Sequence, residues 1–278
     1  MKKGFSTLLI LCSVVWLSLF PMIALSQEGT WKRVDSGLFI GLFDHPKKGT
    51  EDDKITIVKI DPNFYSFKLL CASEQGKDRM TVKSWCKKYH LISGINAGMY
   101  QKDGMTNVGY MKNFNHLNNP RVNTSYHAFW GFNPTDSAVP EIQIIDRKCQ
   151  DFDQVRFKYQ TLIQNIRMIS CRQENVWSKQ EKKWSMAVFG MDKGGNALFI
   201  FTRTPYSSHD FINMLLGLPI SIYNAMYLEG GPEASLYFSA HGFELERWGA
   251  FETGLNETDS HISAWPVPNV VGIVKKPK

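Results

Sequence analysis

The sequence contains no His-Glu-x-x-His, no Gly-x-Ser-x-Gly and no Gly-x-x-x-x-Gly-Lys segment. Those absences argue against zinc proteases, serine esterases and phosphate-loop nucleotide hydrolases, whose chemistry needs particular groups at those spacings. Cysteine is scarce, at five in 278 residues, and no two lie at the short spacing of metal ligands. No metal or other cofactor is therefore expected. A strong excess of one charge is also missing: 32 Lys and Arg against 26 Asp and Glu give a formal charge of +6. That is too mild and too dispersed for nucleic acid, yet compatible with a small anionic substrate. Internal repeats and low-complexity tracts are absent.

What is present begins with an export signal. Met1-Lys2-Lys3 precedes an apolar block from Leu8 to Phe20, which runs on to Ala24-Leu25-Ser26. A positive start, a short apolar centre and small residues before the cut predict a signal peptide, 1–26, cleaved after Ser26. The alternative, an uncleaved anchor, falls short of the roughly 20 apolar residues that a spanning helix needs. The remainder, 27–278, reads as a single exported domain, periplasmic or secreted, with no later segment apolar for long enough to enter a membrane stably. It keeps Cys71, Cys86, Cys149 and Cys171. An even count in an exported chain suggests disulfides, and four cysteines allow three pairings. Proximity in sequence favours Cys71 with Cys86 and Cys149 with Cys171.

Periodicity then predicts the elements. After a polar lead-in, "KITIVKI" and "YSFKLLCAS" read as two strands about an Asp61-Pro62-Asn63 turn. "TVKSWCKKYH" reads as a helix capped by Thr81 and ending in basic residues. "LISGINAGMY" is an apolar strand running into Asn96-Ala97-Gly98, and 101–140 is expected to be loops around one or two strands. "EIQIIDR" alternates as a strand, while "YQTLIQNIRMI" fits strand or helix, with strand preferred. "MAVFGM" and "ALFIFT" flank Asp192-Lys193-Gly194-Gly195-Asn196, a hairpin turn with residues that tolerate positive φ. Ser207 and Asp210 resemble a capping box for a helix from about Ser208 to Leu218. "IYNAMYLE" is a strand ending at a double glycine, and "VPNVVGIV" closes the chain as another. Many strands with few helices predict an α+β single domain around a mixed, largely antiparallel sheet.

Two strand ends break into glycine turns that carry a polar residue at the break, Asn96-Ala97-Gly98 and Glu229-Gly230-Gly231. Glycine lets backbone amides converge, and a concave array of amides binds anions. The alternative is a pair of tight turns whose side chains meet only water.

"GINAGMY", "QNIRMI", "FGMDKGGNALFIF", "SSHDFINMLLGL" and "NAMYLEGGPEASLYF" occur in an order that resembles the phosphodiester glycosidase family. The resemblance covers Ile55 to the C-terminus. It implies a hydrolase of sugar-1-phosphodiesters in which Glu229 and Asn96 are catalytic and Gly98, Gln164, Gly230, Gly231 and Ser235 hold the substrate, while the needs of the chemistry add His209 as a catalytic candidate and Arg203 as a substrate contact. Departures are visible: Glu229 replaces the family's Asp, Glu233 stands near its first Ser, and Met186 lies near the place of its arginine. Arg167 and Arg203 are the candidates to replace that arginine. His209 is equally readable as a neutral helix-start residue, Asp210 as a cap, and Arg203 as a strand-end ion pair.

The chemistry stands on its own terms. A glycosyl phosphodiester has a good leaving group, so the main needs are a carboxylate as base or nucleophile and donors on the phosphate. Glu229 at a strand end suits the first role. The rival class is a non-catalytic glycan-binding protein that keeps the fold; Met186 favours the rival and the still acidic Glu229 favours the enzyme.

Overall fold

The structure is a computed structural model that describes residues 1, 30–45, 54–76, 78–258 and 262–277. Apart from Met1, the expected signal peptide lies outside them. From the N-terminus run β1 (Thr30–Asp35), β2 (Leu38–Phe43), β3 (Ile55–Ile60), β4 (Tyr65–Cys71), α1 (Val82–Lys88) and β5 (Ser93–Asn96). β6 (Met111–Asn113), β7 (His116–Asn119), β8 (Ala128–Pro134), β9 (Ile142–Asp146), α2 (Phe152–Val155), β10 (Tyr159–Asn165) and β11 (Arg167–Ile169) follow. The last third holds β12 (Trp184–Asp192), β13 (Ala197–Tyr206), α3 (Ser208–Gly217), β14 (Ile222–Gly230), β15 (Ser235–Ala240), β16 (Phe243–Trp248) and β17 (Asn269–Lys275).

These strands form three sheets rather than one. Their orders are β1-β2-β3-β13-β12-β14-β11, β7-β6-β10-β8-β9 and β16-β15-β5-β17-β4. Each pairing described is antiparallel, so the expected mixed character is not found, while the α+β class is. The period-2 pattern explains the layering, because alternate side chains leave opposite faces of a strand. Inner faces of all three sheets supply one core: Ile40 and Phe199 from the first, Trp130 and Ile163 from the second, Phe67, Leu236 and Ile273 from the third. At its centre Trp130 stacks on Phe189, centroids 3.7 Å apart. Outer faces are covered separately. α3 brings Phe211, Ile212 and Leu215 to the first sheet, α2 brings Phe152 to the second, and α1 brings Val82 and Trp85 to the third.

Local chemistry set these elements as expected. Thr81 Oγ1 accepts the Ser84 N–H at 3.1 Å and Ser207 Oγ accepts that of Asp210 at 3.1 Å, so both long helices start on side-chain caps. Between β12 and β13, Gly195 takes φ +81° and the Asp192 carboxylate accepts the Gly194 and Asn196 N–H groups. The segment 101–140 holds three strands, one more than expected.

Half of the cysteine reading is corrected. Cys149 and Cys171 are bonded, whereas Cys71 and Cys86 are free and buried. Cys71 belongs to the central core and donates to Met111 Sδ at 3.8 Å, while Cys86 on α1 packs outside the third sheet. Closeness in sequence therefore leaves the two thiols in different layers. Burial pushes both thiols well above the ordinary range, so they are unreactive. The bond that does form spans 22 residues and should contribute about 3 kcal/mol by restricting the unfolded chain. Thermal melting with and without reductant is expected to show that loss, and native-state alkylation should label neither Cys71 nor Cys86.

Candidate active site

β14 carries the site to its place. Tyr227 and Glu229 alternate onto one side of the strand, and the register against β12 slips between Ala187, opposite Glu229, and Val188, opposite Tyr227. Such a bulge re-aims side chains at the end of a sheet. Beyond it the chain turns through Gly231–Glu233, a single 3-10 turn with Pro232 inside it, and enters β15.

Two glycines make the turn possible. A Cβ on Gly230 would overlap the Tyr227 hydroxyl and the Trp184 ring. Gly231 has φ +65°, and a Cβ there would stand 2.5 Å from Glu252 Oε2. The double glycine thus packs a phenol against one residue and a carboxyl against the next.

Asn96 ties the turn to β5. Its Nδ2 donates to the Glu233 carbonyl at 2.9 Å and its Oδ1 accepts the Ser235 N–H at 2.6 Å. Ser235 Oγ donates to the same carbonyl at 3.2 Å. Asn96 is 1 % exposed, so both its polar atoms serve the backbone of the turn.

Three carboxyl groups share this corner: Glu229, Glu233 and Glu252. Glu229 is 8 % exposed, and its Oε1 accepts the Gly230 N–H at 3.1 Å. Burial, then the neighbouring Glu233 and Glu252, raise its pKa well above the carboxylate range, against the pull of that one N–H. Glu233 is raised too, first by burial and then by Glu252, but the Tyr100 hydroxyl and the Arg79 guanidinium favour its charged form. Burial raises Glu252, with Lys182 opposing. Tyr100, desolvated beside Glu233 and Glu229, is pushed up to about 12 and stays a neutral donor. Two carboxyls in differently compensated surroundings are the arrangement from which acid and base roles separate.

The other expected residues have structural partners of their own. Gln164 is buried and saturated: Nε2 donates to the Asn123 and Tyr126 carbonyls at 2.6 and 2.8 Å, and Oε1 accepts the Tyr110 and Asn123 N–H groups at 3.0 and 2.8 Å. It fastens the loop before β8 and has no capacity left for a substrate. Gly98 has φ +151° and sits against Asn107, where a Cβ would stand 2.5 Å from Oδ1. His209 Nδ1 lies 3.3 Å from Asp210 and 3.5 Å from Asn213 Nδ2, on the outer helix. Arg203 donates to the Trp248 carbonyl at 3.0 Å and lies over the Trp248 ring. Met186 is fully buried opposite Gly230, with Ser208 Oγ 3.7 Å from its sulfur.

Sequence reasoning missed Glu252, Tyr227, Tyr100 and Arg79. Tyr100 lies two residues after Gly98 and Tyr227 two residues before Glu229, so both could have been found by reading outward from the two glycine turns. Glu252 arrives from the loop after β16, positioned by backbone bonds to Asn256 and a bridge to Trp184. No motif marks it. A cavity of about 770 Å³ lined by Tyr223, Asn224 and the disulfide is remote from this chemistry: Tyr223 precedes Glu229 by six residues of extended strand, about 20 Å. Among the described residues, the one cluster of potential metal ligands is Asp146 with Cys149 and Cys171, and those sulfurs are bonded to each other.

Fold and site together define an α+β protein with one buried and two half-buried carboxyls clustered over a glycine turn. The chain belongs to the phosphodiester glycosidase family, whose sequence profile matches residues 89–274. No curated protein matches it in sequence. In fold it is similar to the catalytic domain of zebrafish N-acetylglucosamine-1-phosphodiester alpha-N-acetylglucosaminidase, auto-inhibited by its pro-peptide, with TM-score 0.57, 12 % identity and coverage of 90 % of this chain and 82 % of that one. A hypothetical protein from Synechocystis gives TM-score 0.58 at 13 % identity, covering 91 % of this chain and 65 % of that one. A putative exported protein from Burkholderia pseudomallei gives TM-score 0.51 at 8 % identity, covering 85 % and 74 %. Among the described residues, no helix is long and apolar enough to cross a membrane.

Proposed function

We propose that the protein is an exported hydrolase that cleaves a sugar phosphodiester in a surface or extracellular glycan, with Glu229 and Glu233 carrying the chemistry. The observation that supports this most is the convergence of three carboxyls, Glu229 buried and Glu233 and Glu252 half-buried, on the Glu229–Glu233 turn, in a chain that belongs to a glycosidase family. The internal disulfide and the signal peptide expected from the sequence support export.

The electrostatics revise the role expected for Glu229. A charged Glu229 beside the phosphate would repel it; a carboxyl held neutral by burial donates a hydrogen bond instead and can pass its proton to the leaving phosphate oxygen. Glu233, whose charge Tyr100 and Arg79 favour, then faces the sugar carbon as nucleophile or base and stabilises its oxocarbenium character. Asn96 and Ser235 act by holding the turn.

The second reading, a glycan-binding protein without turnover, draws on the apolar burial of Met186 where the family carries an arginine. Incubation with a panel of synthetic sugar-1-phosphodiesters separates the two. Free reducing sugar is expected from at least one member; binding without release across the panel would establish the second reading.

A further inference from the structure

A cleft of about 360 Å³ adjoins the carboxyl corner, lined by Ser125, His127, Ile166, Arg167, Trp177 and Ser178, among others. Tyr227 reaches both of them. A Cβ on Gly230 would overlap its hydroxyl, its ring centroid is 6.1 Å from that of Trp177, and its N–H donates to the Ile166 carbonyl at 2.9 Å. We propose that this cleft is an anion subsite, which holds the phosphate of the substrate beside Glu229. The assignment rests on the phosphodiester reading above.

Charge is the first argument. The groups that face His127 are Lys148, Arg167 and Arg147, with Asp146 the one carboxylate opposing them. Asp146 is 1 % exposed and is consumed by its neighbours: both oxygens accept Arg167 Nη1 at 2.9 Å, and the Lys148 and Cys171 N–H groups bond to it as well. It therefore fixes the guanidinium without lining the cleft. Arg167 Nε has no acceptor. The cleft presents Arg167, His127, two serine side chains and an indole face, a composition that suits a phosphate with an attached ring.

Other cationic groups fit less well. Arg79 and Lys102 line a second cleft together with Asp78 and Asp103, and the charge of Arg79 already serves Glu233. His209 and Arg203 are directed to Asp210 and Trp248.

Burial and the three cations hold His127 below its ordinary pKa. An anion in the cleft reverses that, so it binds with proton uptake and more tightly as pH falls through the pKa of His127. The test is a titration with inorganic phosphate, following the His127 ring by NMR and Trp177 by fluorescence. Saturable shifts and a raised His127 pKa are expected, and His127→Gln and Ser178→Ala should each weaken binding several-fold, together about tenfold. In turnover the same variants should raise KM for a sugar phosphodiester with little change in kcat. Absence of saturable binding at this cleft, or unchanged phosphate affinity in both variants, would overturn the assignment. Phosphate bound here without sugar release would keep the subsite and remove the glycosidase reading instead.

Discussion

Replacing Glu229 with Gln is expected to lower sugar release by at least about 100-fold, the smaller figure for loss of a positioned proton donor. The fold should survive, because the Gln carbonyl can still accept the Gly230 N–H that Glu229 Oε1 accepts now. Glutamine also donates to a phosphate but has no proton to transfer, so kcat should fall and KM should change little. The pH profile gives a sharper readout. Wild-type activity should decline on the alkaline side as Glu229 ionises, at a pH raised above the carboxylate range by burial, Glu233 and Glu252. The variant should lose that limb. Equal rates for both proteins would remove Glu229 from the mechanism.

The same substitution has the opposite sign in stability. A carboxyl whose pKa is higher folded than unfolded binds its proton more tightly in the native state. Its contribution is complete below the unfolded pKa and is lost as pH rises through the folded one. Glu229→Gln removes this titration, so its melting temperature should hold at alkaline pH where that of the wild type falls. A residue whose neutral replacement stabilises the fold while stopping the chemistry is retained for function rather than for packing.

How much of this was legible depended on whether the signal was local. The hairpin at Asp192–Gly195 and the caps Thr81 and Ser207 are written in adjacent residues, and the structure follows them. The β1–β2 hairpin escaped because β1 lies at the sheet's edge, half exposed, without an apolar stripe. β15 and β16 escaped because the double glycine that ends β14 hid the strand resuming within a turn of it. Within the site, Asn96, Glu229, Gly230 and Gly231 were marked by two glycine turns, and Ser235 by the family resemblance. Gln164 could not be resolved from sequence, because a primary amide serves a loop backbone as readily as a ligand and only its partners tell which. Glu252 depends on a loop that folds back over Gly231, a long-range contact that no spacing encodes.

That fold-back locates the most sensitive position outside the carboxyls. Gly249 lies where the chain leaves β16, and its N–H donates to the Ala234 carbonyl at 2.7 Å. A Cβ there would overlap the Gly231 carbonyl oxygen and approach Ser185 Cβ to 2.9 Å. The first obstacle is backbone, which cannot rotate aside, and Ser185 has its own ties: its hydroxyl donates to the Arg203 carbonyl at 2.6 Å and accepts the Ala250 N–H at 3.1 Å. Gly249→Ala should therefore destabilise the protein by about 3 kcal/mol, the upper end for an overpacked core. Because the displaced atom belongs to the turn that holds Glu229, Glu233 and Glu252 in register, activity at a temperature where the variant is still folded should fall as well. Denaturant unfolding with parallel kcat measurements checks both parts. By contrast Gly195→Ala, at a turn where no atom lies within 4 Å of a Cβ, should cost only the strain of its positive φ, about 1–2 kcal/mol, and leave kcat unchanged. If the two alanine variants behaved alike, close packing against Gly231 would not be what holds the carboxyl corner together.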